Sequence, residues 1–204
     1  MNNPNLDCTG LPCPQPVLQC KHCIDAHQPD ELNAVVDNEA ALENVTRFLQ
    51  TQGYQVEAEQ SAPDRWRIKA LKAAQPEEDS SQASGTTGPG ARPSKTLLFL
   101  SAPGIGEGDP SLGEKLMFNF LATLPEMGPQ LWRLILVNGA VHLAVQGSPC
   151  LEPLQKLEAA GVSILVCGTC LTHFGLMDKR AVGQTTNMLD VITSLQLAEK
   201  IIRP

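Results

Sequence analysis

Leu6-Asp7-Cys8-Thr9-Gly10-Leu11-Pro12-Cys13-Pro14-Gln15-Pro16-Val17 holds a strand end, a turn and a helix start in one short run. A strand near Asn5–Cys8 leads into a turn at Gly10. Proline is favoured at the first helical position, where its missing N–H is not needed. Pro14 therefore predicts a helix from Pro14 to about His27, with Cys13 at the N-cap. A sulfur there faces amides that have no intrahelical partner, and the positive end of the helix dipole favours an anion. A thiolate is an anion, and cysteines so placed are reactive. Pro16 removes one more N–H, and the two prolines stiffen the first turn. Packing of Cys13 beside the turn is the competing reading of the same geometry.

Downstream, the pattern stays compact. Val17, Cys20, Lys21 and Ile24 share a helical face. Leu32–Asp37 reads as a strand. Asn38 is a good N-cap for a second helix, whose buried stripe is Ala41, Val45, Phe48 and Leu49. Gly53 sits where a helix-terminating glycine belongs. Tyr54–Gln60 and Arg65–Leu71 read as a hairpin turning at Pro63-Asp64. The order is βαβαββ, a small two-layer sandwich over residues 1–72.

Residues 73–94, AAQPEEDSSQASGTTGPGARPS, have no large apolar side chain and are rich in Ser, Gly and Pro. Such a segment buries too little surface to fold. It is expected to be a flexible linker with a root-mean-square reach of about 25 Å. Beyond it, Thr96–Ser101, Leu134–Val137 and Val162–Cys167 are nearly continuous apolar runs. Strands covered on both faces have this composition, which implies a parallel sheet with helices on either side. Ser111–Leu124 is read as a helix with Leu112, Leu116, Met117, Phe120, Leu121 and Leu124 on a broad apolar face. Leu151–Ala160, closed by Gly161, and Met188–Ile202, with a short terminal strand, complete a flavodoxin-like α/β domain over residues 95–204. The strand order is not readable from the sequence.

The 204 residues are 42% hydrophobic but only 4% aromatic, so both cores are mainly aliphatic. The net charge is −7. Residues 1–72 carry 6 basic and 10 acidic groups, and residues 95–204 carry 8 and 9, for nets of −4 and −1. Neither part has the basic stripe that phosphate binding requires, so nucleic acid is not an expected partner. No run approaches the roughly 18 apolar residues of a membrane span, and Met1–Asp7 lacks the pattern of a secretory signal. A cytoplasmic protein is expected, in which the 7 cysteines are not a disulfide framework.

Gly-Leu-x-Cys-Pro-x-Pro-Val, after Leu6-Asp7 and before Lys21, resembles the signature of TusA-like sulfur-carrier domains, over roughly residues 5–72. The resemblance implies a βαβαββ fold in which Cys13 carries sulfur as a persulfide. Its thiolate would attack the terminal sulfur of a donor, and the resulting –S–S⁻ would itself be held as an anion. Cys8 is read either as a strand residue or as a resolving thiol beside Cys13. Cys20 is about 10 Å along the helix from Cys13, too far for a disulfide, and it belongs to the apolar stripe. Cys20-Lys-His-Cys23 has CxxC spacing, but a zinc site would need two more ligands.

Val166-Cys167-Gly168-Thr169-Cys170-Leu171 ends the third apolar strand of the second domain. In open α/β sheets, ligand chemistry gathers beyond the carboxyl ends of the strands. The CxxC spacing permits a redox pair or two metal ligands, and Cys167 is also read as the last core residue of its strand. Cys-Gly-Thr-Cys-Leu, Gly108-Asp109 with Leu112-Gly113, Asn138-Gly139-Ala140-Val141, and Val182-Gly183-Gln184 before Asn187-Met188 resemble the DsrE-like domain of the YedF family. In that family it follows a TusA-like domain through a polar linker. The resemblance implies that Cys167 or Cys170 accepts sulfur, Cys170 being the more exposed because it lies in a loop. It also implies a sulfur-donor partner such as a cysteine desulfurase or rhodanese, association of copies through the second domain, and no cofactor. The cargo, sulfur or selenium, stays open. A thiol–disulfide redox protein using Cys167 and Cys170, and a non-catalytic partner-binding module, are the competing functions. Gly104-Ile-Gly106-Glu-Gly108 is read as a turn rather than a phosphate cradle, since it lacks a P-loop lysine. His173 is read as a surface residue, with base or metal ligand as the alternative, and Cys150 as structural.

Overall fold

The structure, a computed structural model, describes residues 4–73 and 94–204. All but the two ends of the expected linker therefore lie outside the described residues. The chain divides into two compact units, Met1–Arg92 and Pro93–Pro204, each taken by itself below.

In the first unit, β1 (Asn5–Asp7), α1 (Gln15–His27), β2 (Glu31–Val36), α2 (Glu39–Thr51), β3 (Tyr54–Ala62) and β4 (Arg65–Lys72) follow in the predicted order. The sheet order is β1-β2-β4-β3. β1 runs parallel to β2, and β4 pairs antiparallel with both β2 and β3. Leu32, Ala34 and Val36 alternate on β2 with half-buried residues, and with Ile68 and Ala70 of β4 they form the buried face. Val17 and Cys20 from α1, and Val45 and Leu49 from α2, close over it. The inner face of α1 continues through Cys23, while Lys21 and Ile24 are half-buried on its flank. Phe48 is likewise only half-buried. The Asn38 side chain accepts the Ala41 N–H at 2.8 Å, which is the expected N-cap. Gly53 has φ 83°, the left-handed geometry that ends α2 and releases the chain into β3.

The second unit comprises β5 (Thr96–Leu100), α3 (Pro110–Thr123), a 3-10 segment (Leu124–Gln130), β6 (Leu131–Leu136), a second 3-10 segment (Asn138–Ala144), α4 (Leu151–Ala159), β7 (Ser163–Cys167), α5 (Gly168–His173), β8 (Gln184–Thr186), α6 (Met188–Leu197) and β9 (Lys200–Ile202). All five strands are parallel, in the order β8-β7-β6-β5-β9. The continuous apolar runs are explained by two-sided burial. Leu98, Leu100, Leu134, Leu136, Ile164 and Val166 join the core that contains Met117, Leu121, Leu154 and Leu171 from α3, α4 and α5. The residues between them, Leu97, Ile135 and Leu165, form a separate cluster with Val191 of α6. The expected long last helix instead stops at Leu197, and β9 adds an edge strand beside β5.

Two readings of α3 are corrected. Leu112 and Leu116 are 54% and 43% exposed, so the buried stripe is Gly113, Met117 and Leu121, with Leu124 just beyond the helix. The helix is rolled toward Gly113 because that residue takes the close contact with the preceding loop. A Cβ on Gly104 would come within 2.9 Å of the Gly113 carbonyl carbon, and the Ile105 N–H donates to the Gly113 carbonyl oxygen at 3.0 Å. The glycine-rich stretch is thus a turn packed on a helix start, which Asp109 caps by accepting the Leu112 N–H at 2.7 Å. Among the described residues, no helix is long and apolar enough to cross a membrane.

Candidate functional site

The quoted stretch closes over the end of β1. The Cys8 N–H extends the ladder to the Val35 carbonyl oxygen at 2.9 Å. Asp7 Oδ1 then accepts the Thr9 hydroxyl at 2.7 Å and the Thr9 N–H at 3.1 Å. These bonds hold the Asp7 carboxyl below its ordinary value. On the other side, Gly10 at φ 70° donates its N–H to Asp37 Oδ2. Two carboxylates therefore tether the loop that presents Cys13, and the Cys13 side chain is exposed. The Cys13–Pro14 peptide bond is cis.

The expected N-cap position of Cys13 is corrected by one residue. α1 begins at Gln15, and its N-cap is Pro14, with φ −96° and ψ 18°. The shift comes from a turn before the helix, closed by the Gln15 N–H on the Pro12 carbonyl oxygen at 2.8 Å. No side chain caps this end. Gln15 is engaged and Pro16 has no N–H, so Val17 contributes the next amide of the first turn.

The other first-unit cysteines are core residues. Cys8, Cys20 and Cys23 are 1%, 0% and 7% exposed. Cys20 is hydrogen-bonded to Cys8 and sealed from water, and both effects push its thiol pKa up. Cys23 is pushed up by burial. The alternative of Cys8 as a resolving thiol for Cys13 meets a sulfur that is buried against Cys20. Among the described residues, no group of three or more His, Cys, Asp or Glu side chains stands together as a metal site.

In the second unit, the β7 strand ends at Cys167, which is buried and serves as the N-cap of α5. Cys170 lies inside this short helix rather than in a loop, and it is half-exposed. The exposure order of the two thiols is as expected, but the reason is different: the helix turns Cys167 toward the core cluster while Cys170 packs at its edge. The Asn138 N–H donates to Cys170 Sγ at 3.0 Å. That contact joins the ends of β6 and β7, and spacing alone had not linked the two motifs. His173 is exposed and sets its ring edge-on to Phe174 at 4.9 Å, while His142 lies 4.8 Å from the same ring. Cys150, 2% exposed, occupies the N-cap position of α4 without a side-chain capping bond, and burial pushes its thiol up.

Comparison with known proteins bears on the first unit above all. The family model described as Sulfurtransferase TusA matches residues 5–72. A protein of Methanocaldococcus jannaschii, provisionally named a sulfur carrier, is 41% identical over 68 residues, which are 33% of this chain and 91% of its own length. Among solved structures, a SirA-like protein of Desulfitobacterium hafniense matches 33% of this chain and 95% of its own at 21% identity, with a TM-score of 0.31. The ychN protein of E. coli matches 54% of this chain and 99% of its own at 17% identity, with a TM-score of 0.44. Matched over nearly the whole length of that archaeal relative, and carrying the Cys-Pro-x-Pro helix start on a βαβαββ fold, the chain belongs to the TusA sulfurtransferase family.

Proposed function

We propose that this protein carries sulfur, or selenium, as a persulfide or its selenium counterpart on Cys13. The carrying observation is a contrast in exposure: Cys13 stands open at a helix start, whereas Cys8, Cys20 and Cys23 are buried. A cytoplasmic donor, such as a cysteine desulfurase or a rhodanese, supplies the atom. The Cys13 thiolate attacks the outer sulfur of the donor persulfide, the donor S–S bond breaks, and the donor leaves as a thiolate. Each exchange is governed by thiolate fraction and access, and no resident cofactor enters it. In this reading the second unit is a DsrE-like domain, the two together form a YedF-type fusion, and copies associate through the second unit. Cys170 receives the atom in preference to Cys167, because an attacking sulfur has to be reachable and Cys167 is the more buried of the two. Tethering two such sites on one chain can give an effective concentration near millimolar.

The test is to incubate the reduced full-length protein with a cysteine desulfurase and cysteine, then measure intact mass and map peptides. Gain of one sulfur atom on Cys13, abolished by Cys13→Ser, is the expected result. No gain with a competent donor overturns the reading. A disulfide between Cys167 and Cys170 that titrates reversibly and is indifferent to Cys13→Ser would instead identify a thiol–disulfide redox protein.

A further inference from the structure

We propose that the main-chain N–H of Asn138 positions the sulfur of Cys170 for sulfur exchange. The inference rests on the reading of Cys170 as the acceptor, and it concerns how that thiol is held. The β5–β6 ladder continues through the Val137 N–H, which donates to the Leu100 carbonyl oxygen at 2.9 Å. The chain then turns sharply. Asn138 has φ 49°, and among the described residues of the second unit it is the single non-glycine with a left-handed backbone. Asparagine tolerates that region, whereas β-branched residues do not. The Ala140 N–H closes the turn on the Val137 carbonyl oxygen at 3.1 Å. Gly139 sits so near the neighbouring loop that a Cβ there would meet Pro103 Cδ at 3.0 Å. The turn is therefore held from both sides, and its outward amide is spent on a sulfur 32 residues away, at 3.0 Å.

A donor aimed at sulfur stabilises negative charge on it and fixes its direction. In the transfer, Cys170 as thiolate attacks the outer sulfur of the Cys13 persulfide. The new S–S bond forms at Cys170 as the S–S bond at Cys13 breaks, and the electron pair leaves on Cys13 as a thiolate. There is no net oxidation. The Asn138 amide serves as a positioning group for the attacking sulfur and touches nothing on Cys13.

Because the donor is main chain, conformation is the handle. Asn138→Gly keeps both the amide and the left-handed turn. Asn138→Val keeps the amide but disfavours the turn. Asn138→Pro removes the amide. In the full-length protein, peptide-mapped alkylation by iodoacetamide across pH reads the state of Cys170, with Cys13 in the same sample as the reference. Asn138→Gly should stay within about twofold of the parent, while Asn138→Val and Asn138→Pro should slow Cys170 roughly tenfold at neutral pH and leave Cys13 unchanged. Equal Cys170 rates in all four proteins overturn the proposal, and if the proline variant does not fold, the valine variant decides. Sulfur transfer is read in parallel. If Cys170 of the parent never gains sulfur from a loaded Cys13, the acceptor reading fails and the alkylation rates still decide the positioning. If Asn138→Val gains sulfur at the parent rate, the positioning fails and the acceptor reading stands.

Discussion

Thr9 and Asp7 show how a single side chain shapes the thiol loop. Both hydrogen bonds from Thr9 go to one carboxylate oxygen, and they hold the Asp7 carboxyl below its ordinary value of 3.8. A carboxylate depressed in the folded state contributes stability above its unfolded value and loses it as pH falls through the lower folded value. The tether should therefore persist at neutrality and release only in acid, below about pH 4. The Thr9 amide proton, followed by NMR, should keep one shift from neutral pH down to that range and move below it, while Asp7→Ala should show the released shift at pH 7. A transition near neutral pH would place its cause elsewhere. At the same scale, Cys20 is fully buried, hydrogen-bonded to Cys8 and pushed up, so it should resist iodoacetamide in the folded protein while Cys13 reacts, and both should react in denaturant. Comparable labelling of Cys20 and Cys13 without denaturant would contradict the packing. Sequence located Cys13 at the helix start because proline chemistry is local. It missed the one-residue offset because a turn from Pro12 to Gln15 competes for the first amide, and that choice depends on how the loop is tethered to Asp7 and Asp37.

Elements were legible wherever burial is two-sided or strictly alternating. β5, β6 and β7 could be read because both of their faces meet helices, and β2 because Leu32, Ala34 and Val36 alternate. α3 was harder: Leu112, Leu116, Met117, Phe118, Phe120 and Leu121 are spread over more than one face, so periodicity does not determine which stripe faces inward. The deciding residue is Gly113, which has no apolar side chain to signal burial yet accepts a close backbone approach. This gives a prediction whose sign runs against propensity. Ala is favoured over Gly in a helix by about 1 kcal/mol, so Gly113→Ala would ordinarily stabilise. Here the added Cβ would sit 3.2 Å from the Ile105 carbonyl oxygen, which should cancel that gain. Gly104→Ala, at 2.9 Å from backbone, has no flexible partner to yield and should cost about 1–3 kcal/mol. Thermal melting of the two variants checks both, and a rise in melting temperature for Gly104→Ala would contradict the close approach.

At the scale of the whole molecule, each unit has its own fully buried residues among those described. Among the described residues, the buried clusters of the second unit begin at Leu97, and Leu32, Val45, Leu49 and Ile68 are fully buried in the first. The sequence shows strand character changing across the intervening Ser-, Gly- and Pro-rich run. It could not foresee the strand order β8-β7-β6-β5-β9, which depends on β9 crossing back past β5, a long-range choice with no local signal. Separate cores should melt separately. Ile68 is 0% exposed on β4, and truncation of such a side chain to alanine costs about 2–5 kcal/mol, a large part of the roughly 5–15 kcal/mol that holds a small domain together. For a domain of this size, Ile68→Ala should lower the first unit's transition by on the order of 10–30 °C. Calorimetry of the full chain should show that transition move while the second unit's stays in place. Iodoacetamide mapping during the same ramp should find Cys20 exposed early and Cys150 still protected. If the two transitions moved together, the units would share stability through contacts beyond their own cores, and delivery of sulfur by a tethered, independently folded carrier would lose its physical basis.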